Sequence, residues 1–480
     1  MRTSEPGILR AILPGLTLLL VLLGCADPWS FDDLEDGWNR LIPGGDTACA
    51  LGGRYEFYVR PGARDRLLLF LDGGGGCASR ETCEPDDDAP YTLQIEQQRS
   101  PELRTGIFDL QEPRNPFSEF SMVIVPYCTG DVHLGTRVHT YESSDGSEPL
   151  VIRHLGHINA TTVIEWIGAN FEDPSSIVVT GLSAGGVATP FYADVLARRY
   201  PGSRVVGIGD GAGAWGAGTV PDLDPTPWGI WGVYADEPVW SELDRSRFGI
   251  DEFFLSAAAP PGEPELYQID FAHDRRQTFG IRKSGTEMSN VLDRLERSRA
   301  RIQDGDGDFR AFTLGGDWHG ILETPGFYTF REENQRPVDW VDDIICGVKV
   351  SDVRCSECDR PHVAFAPSDL QLLDRALALL GQESAWDANP PPGASCPKGN
   401  EKRRIWCVLV EASRQLDLGD PEDQAGTAEV VILATQRLGD WNPRLAVSRY
   451  NNADGRTFEE VRSLLQEARA NAAKALALQP

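Results

Sequence analysis

Five residues, Gly181-Leu182-Ser183-Ala184-Gly185, restrict the fold of this 480-residue chain more than any other segment. They stand between an apolar, β-rich run, Ile177–Gly181, and a helical stretch, Ala184–Tyr200. Glycines on either side of such a serine fit a sharp strand-to-helix turn in which no side chain is tolerated and the hydroxyl is pushed out above a sheet. A Gly-rich turn that only packs a helix closely on a strand is the plainer reading. Leu67–Leu71, Met122–Pro126 and Val205–Gly209 are further short runs of the buried parallel-strand kind. Between the second and third of the four runs, Leu155–Phe171 carries Ile158, Val163, Ile164 and Ile167 at amphipathic helical spacing. Leu266–Phe271 and Arg310–Leu314 are candidate strands, separated by a charged helix at Glu287–Ile302. This alternation predicts a doubly wound, mostly parallel α/β sheet with helices on both faces.

The chain beyond Val363 reads differently. Ser368–Leu380, Arg404–Leu416, Ala428–Arg437 and Thr457–Leu478 have helical periodicity, and Thr457 to Glu460 fits a capping box. Pro390-Pro391-Pro392-Gly393 interrupts them. A small helical domain over 363–480 is therefore expected, after a main domain over 46–362 and a linker over 25–45. Residues 1–24 form a signal segment: Arg2 and Arg10 precede an apolar run, Ala11–Leu23, too short to span a bilayer comfortably. It ends Leu22-Leu23-Gly24-Cys25, which resembles a bacterial lipobox and makes Cys25 the expected lipidation site; cleavage near Ala26 without lipid is the alternative. Export as a cell-envelope lipoprotein, at the outer membrane or cell surface, follows, with membrane contact through the N-terminal lipid only. Nine other cysteines then enter an oxidising compartment, where pairing is the default and an odd number leaves one over. Cys346, Cys355, Cys358 and His362 have zinc-ligand spacing, but export favours disulfides and no metal is expected.

With 45 Lys+Arg against 73 Asp+Glu, the net charge of −28 excludes a nucleic-acid partner, which would need a basic footprint. The chemistry is expected at the serine turn instead. A serine nucleophile needs preorganised donors at the same sheet end. Asp72-Gly73-Gly74-Gly75-Gly76-Cys77 directly follows the first strand, and the amide of Ala184 opens the helix after the serine. A phosphate cradle would require a Gly-Lys-Ser/Thr continuation that is missing. The α/β-hydrolase order is Ser, acid, His. Of the histidines after Ser183, His319 lies in a glycine-flanked loop, Gly315-Gly316-Asp317-Trp318-His319-Gly320, just past a strand, where a general base is required. For the acid, Asp270 alternates with Ile269 and Phe271 as a strand-face residue would, whereas Asp274 lies beyond the strand end and is preferred. Asp304-Gly305-Asp306-Gly307-Asp308 lacks the glycine and glutamate of a calcium loop and reads as an acidic turn. Trp215, Trp228, Trp231 and Trp240 fall in a Gly/Pro-rich insertion that either lines a cleft or packs on the sheet.

Leu71-Asp72-Gly73-Gly74-Gly75-Gly76-Cys77, Val125-Pro126-Tyr127-Cys128-Thr129-Gly130-Asp131, Gly181-Leu182-Ser183-Ala184-Gly185-Gly186, Ala272-His273-Asp274 with Gln277, and the His319 loop together resemble the pectinacetylesterase/Notum family of serine esterases. The resemblance covers about residues 45 to 345. It implies an α/β-hydrolase-like fold, Ser183 as nucleophile, Asp274 as acid, His319 as base, and Gly74, Gly75 and Ala184 as oxyanion donors. Family members commonly carry a tryptophan within or after the glycine run, where this chain has Gly76-Cys77-Ala78, so one wall of an acyl pocket must be missing or come from elsewhere. The expected activity is hydrolysis of a carboxylic ester, with acetyl as the first choice of acyl group, attached to a polysaccharide or another carrier. No cofactor is required. A longer acyl chain, or a non-catalytic envelope binding protein on the same scaffold, are the alternatives. Removing residues 1–24 takes away Arg2, Arg10 and Glu5, leaving 43 basic and 72 acidic residues and a charge of −29. Such a chain repels polyanionic pectin at range, which turns the expectation toward a neutral or small ester.

Overall fold

The computed structural model describes residues 30–477 except 86–89, 99, 144–147, 217–224, 236, 238, 244–247, 284–289, 333–334, 360–361, 364–366, 388–403, 417–446, 448–449 and 454. The signal segment, Cys25, the proline-rich loop and the helix expected at Ala428–Arg437 lie outside the described residues. Eight strands form one sheet in the order β1 (Asn39–Leu41), β2 (Phe57–Arg60), β4 (Phe120–Val125), β3 (Ala63–Leu71), β7 (Ser176–Leu182), β8 (Arg204–Asp210), β9 (Glu265–Phe271), β10 (Arg310–Leu314). From β4 to β10 all neighbours are parallel, and β1 and β2 add an antiparallel edge. This is the expected mostly parallel, α/β-hydrolase-like architecture. Chain order runs one way from β3 to β4 and the other way from β7 onward, so the order reverses between β3 and β7. In open α/β sheets the crevice at the carboxyl ends of the strands, at such a reversal, is where ligands bind.

The physical basis of the central strands is burial on both faces. Leu67, Leu68, Leu69, Phe70 and Leu71 are all fully buried, and successive residues alternate between two apolar clusters. Leu67, Leu69 and Leu71 join Ile164 of the helix Gly156–Asn170 and Phe191 of the helix Ala184–Arg199, whereas Leu68 and Phe70 join Trp340 and Val341. Each such side chain contributes roughly 1.5–3 kcal/mol.

Three features differ from the sequence reading. Residues 39–41, expected in a linker, pair with β2 in the register Asn39↔Val59 and Leu41↔Phe57. Three residues are too few to show a period. The hairpin β5 (Arg137–Tyr141) with β6 (Leu150–His154) escaped notice because β5 is mostly exposed and polar, without apolar alternation. A short pair, β11 (Phe330–Arg331) with β12 (His362–Val363), lies across the expected domain boundary at 362/363. Beyond it, the helix Pro367–Leu379 packs on Ile405–Leu416 and on Phe458–Ala477. Their residues Leu373, Trp406 and Leu465 belong to the same continuous apolar cluster as Leu68 and Phe70. The capping box forms: Thr457 Oγ1 accepts from Glu460 N–H at 3.3 Å and Glu460 Oε2 from Thr457 N–H at 2.9 Å.

Disulfides join Cys49–Cys128, Cys77–Cys83 and Cys355–Cys358, Cys407 is also disulfide-bonded, and Cys346 is free and exposed. Cys355 and Cys358 are bonded to each other and so are not zinc thiolates. Asp306 accepts the Asp308 amide at 3.1 Å in an acidic turn.

Candidate active site

Ser183 links β7 to the helix Ala184–Arg199 with φ 56° and ψ −112°, a left-handed backbone that a non-glycine residue rarely adopts. The helix passes so close to β3 that a Cβ on Gly185 would lie 2.0 Å from the Leu71 carbonyl oxygen. Glycine is the residue that permits this crossing. The Ser183 amide donates to the Asp210 carbonyl at 2.8 Å, tying the turn to the end of β8. As the first helical residue, Ala184 has an amide with no carbonyl one turn back, so it is free to serve a bound oxygen.

The glycine run leaves the neighbouring β3 beside this serine: a Cβ on Gly73 would sit 3.2 Å from Ser183 Cβ. Its carbonyls are turned away and held. Gly73 O accepts from Gln98 Nε2 at 2.9 Å, Gly74 O from the Thr92 amide at 2.8 Å and Gly75 O from the Tyr127 hydroxyl at 2.9 Å. Gly75 has φ +72°, and a Cβ there would meet Pro90 O at 1.8 Å. Tyr127 accepts the Val132 amide at 2.8 Å, and His133 bonds the Asp72 carbonyl at 2.8 Å. The Tyr127-to-His133 segment thus braces the run from behind, and burial keeps His133 down at about 4 and therefore neutral.

Asp274 and His319 arrive from the ends of β9 and β10. His319 Nδ1 lies 2.7 Å from Asp274 Oδ2. A carboxylate accepts here, so Nδ1 carries the proton and Nε2 keeps its lone pair. Asp274 is fully buried, and its Oδ1 also accepts the amides of Arg276 at 2.8 Å and Gln277 at 3.0 Å. Burial opposes charge on the imidazole, but the Asp274 carboxylate and its hydrogen bond, with Asp210 adding, outweigh it and hold His319 above its usual range. The His319 ring lies against Gly211, 3.4 Å from where a Cβ would be, and so next to the residue that bonds the serine turn. Among the described residues no hydrogen bond yet joins Ser183 to the ring; such bonds are often long before substrate binds.

Asp270 occupies a different place. It pairs with Arg299 at 2.8 Å and accepts from the Gly213 amide at 2.9 Å. The Gln277 amide nitrogen spans the two carboxylates, 3.0 Å from Asp270 Oδ1 and 3.0 Å from Asp274 Oδ2. His319 bonds Asp274 rather than Asp270. Two further groups were not foreseen from the sequence. Arg104, buried, holds Asp72 through contacts of 2.5 and 2.8 Å and Glu323 at 2.8 Å, joining the start of the glycine run to the segment after His319. Asp210 accepts the amides of Ile321 at 2.8 Å and Leu322 at 2.9 Å. Neither carries a local motif; the side-chain partners of each lie more than 30 residues away.

The sequence profile named Pectinacetylesterase matches residues 44–216. A Danio rerio protein named inactive palmitoleoyl-protein carboxylesterase notum1b is 30% identical over 105 residues, 21% of this chain and 75% of its own. The chain belongs to the pectinacetylesterase family. Palmitoleoyl-protein carboxylesterase NOTUM of Homo sapiens is 30% identical over 187 residues, covering 37% of this chain and 36% of that protein. The notum1 protein of Xenopus laevis, named likewise, is 28% identical over 194 residues, 38% of each chain. The chain thus spans little more than a third of the length of these two relatives. The pectinacetylesterase match contains Gly74, Gly75, Ser183 and Ala184 and stops short of Asp274 and His319, so the pairing of those two is a finding of the geometry. Trp228, fully buried, donates its indole N–H to Cys77 O at 2.7 Å and comes within 3.9 Å of a Cβ on Gly76. Trp240 is fully buried against Phe191 and donates to Asp194 at 2.8 Å, so it packs the insertion on the helix Ala184–Arg199.

Proposed function

We propose that this chain is a serine esterase that forms an acyl-enzyme at Ser183. His319 Nε2 takes the hydroxyl proton as Ser183 Oγ attacks the ester carbonyl carbon. Asp274 keeps Nδ1 protonated and stabilises the imidazolium. The carbonyl π pair moves onto oxygen, where the amides of Gly74, Gly75 and Ala184 receive the negative charge. Collapse expels the alcohol, which takes the proton from His319. Water then attacks the acyl-enzyme by the same route in reverse, releasing the carboxylic acid and restoring Ser183. The observation that carries this reading is the 2.7 Å contact of His319 Nδ1 with Asp274, beside a left-handed serine at the same sheet edge. Hydrolysis of p-nitrophenyl acetate, lost in Ser183→Ala with the fold intact, tests it; full residual activity contradicts it.

For the acyl group we favour acetyl or another short chain on a neutral carrier, because the charge of −28 disfavours a polyanion. The long-chain alternative rests on relatives named for palmitoleoyl-protein substrates. Rates across p-nitrophenyl esters of two to sixteen carbons separate the two, a maximum at long chains contradicting the short-chain choice. The relative named inactive gives the binding-protein reading its one support, and reaction of Ser183 with a fluorophosphonate decides against it. Export fits the disulfides. Among the described residues no helix is long and apolar enough to cross a membrane. Anchoring through a lipid on Cys25 completes the proposal, and labelled palmitate retained after Cys25→Ala would contradict it.

A further inference from the structure

Asp210, the last residue of β8, touches both halves of the site with different atoms. Its main-chain carbonyl accepts the Ser183 amide at 2.8 Å. Its carboxylate accepts the amides of Ile321 (3.1 Å to Oδ1, 2.8 Å to Oδ2) and Leu322 (2.9 Å to Oδ2), immediately past the histidine. A Cβ on Gly320 would come within 3.3 Å of Oδ2, and the ring of His319 rests on Gly211, the next residue of the chain. We propose that Asp210 is a positioning residue, fixing the nucleophile turn through its backbone and the base-bearing loop through its side chain, so that one rigid strand end sets their separation. The proposal rests on the esterase reading and adds to it a fourth side chain whose part is to place His319.

The physics favours this division of labour. A strand inside a six-strand parallel run is a stiff support, whereas the loop from Gly315 to Leu322 has only its anchors to define it. Two amide donors converging on one buried carboxylate are strong, short-range anchors. The charged and titratable groups that face Asp210 are Asp270 on β9, itself paired with Arg299, and His319, backed by Asp274. Burial, with Asp270 nearby, pushes the Asp210 carboxyl up to about 7, and the Ile321 and Leu322 amides and His319 pull the other way.

The test uses the full chain with Asp210→Asn and Asp210→Ala. Asp210→Ala is expected to lower kcat by ~10²-fold, the scale of a 1 Å misplacement, with KM within about threefold because no substrate contact is lost. Asp210→Asn keeps one acceptor and is expected to lose less. Because the carboxylate raises the His319 pKa, both variants should move the His319 titration, followed by NMR of labelled imidazoles in the resting protein, to lower pH. A purely structural role would lower Tm and leave that titration in place. An unmoved titration with wild-type kcat in a folded Asp210→Ala overturns the proposal; if that variant does not fold, an unmoved titration in Asp210→Asn does so. A wild-type chain that hydrolyses no ester defeats the esterase reading alone, since the NMR titration still decides whether Asp210 sets the environment of His319.

Discussion

The two halves of the site are held by different physics. The proposed nucleophile half, made of Ser183, Ala184 and the glycine run, is set by backbone sterics: a left-handed serine, a crossing in which a Cβ on Gly185 would lie 2.0 Å from the Leu71 carbonyl oxygen, and a run of carbonyls tied back to neighbouring segments. The proposed acid–base half, made of Asp274 and His319, is set by buried polar side chains reaching across the fold. These are Asp210, Gln277 and the Arg104 bridge between Asp72 and Glu323. The first kind of positioning is written into adjacent residues, and the second into partners far apart in the chain. The family match, residues 44–216, contains Ser183, Ala184 and the glycine run and ends before Asp274 and His319.

If the halves act as one machine, Ser183→Ala and His319→Ala should each cost ~10⁶-fold in kcat, and the double variant no more, because residues of such a unit are not additive. A His319→Ala enzyme with most of its activity would break the comparison by making the second half dispensable. Asp274→Asn should cost ~10⁴-fold, through loss of the tautomer that points Nε2 at the serine. Asp270→Asn should leave kcat within about tenfold, since its partners are Arg299 and Gln277; equal losses at the two aspartates would erase the distinction drawn between them.

Stability gives the next contrast. Arg104→Met removes the ion-pair partner of the buried Asp72 and should destabilise the protein by ~3–5 kcal/mol in urea unfolding. An unchanged midpoint would mean that the glycine run and the histidine segment do not need this bridge. The smallest effect concerns pH. Because the reactive base is neutral and His319 is held above its usual range, kcat/KM should fall as pH drops through a value higher than the ~6.5 of free imidazole. Asp274→Asn should shift that limb toward lower pH. A limb already below the ordinary value in the wild type would contradict the coupling.

The central strands were legible because both sheet faces are covered, which produces unbroken apolar runs such as Leu67–Leu71. The serine turn was legible for a steric reason that acts within five residues. Asp274 was set apart from Asp270 in the sequence by its place beyond the strand end, and in the structure it lies 2.7 Å from His319 Nδ1. Arg104 and Asp210 were invisible, because nothing local distinguishes a buried ion-pair arginine or a strand-end aspartate from any other. Trp228 shows the same limit: its indole reaches Cys77 O at the end of the glycine run from 151 residues further along the chain. The zinc spacing of Cys355 and Cys358 was a coincidence of a short disulfide loop.

The central claim is that this fold activates Ser183. Incubating the purified chain with a fluorophosphonate and mapping the adduct by mass spectrometry tests it without assuming any substrate. The account predicts one phosphonyl group per chain on the Ser183 peptide, lost in His319→Ala; a folded wild-type chain that remains unlabelled at Ser183 would contradict it.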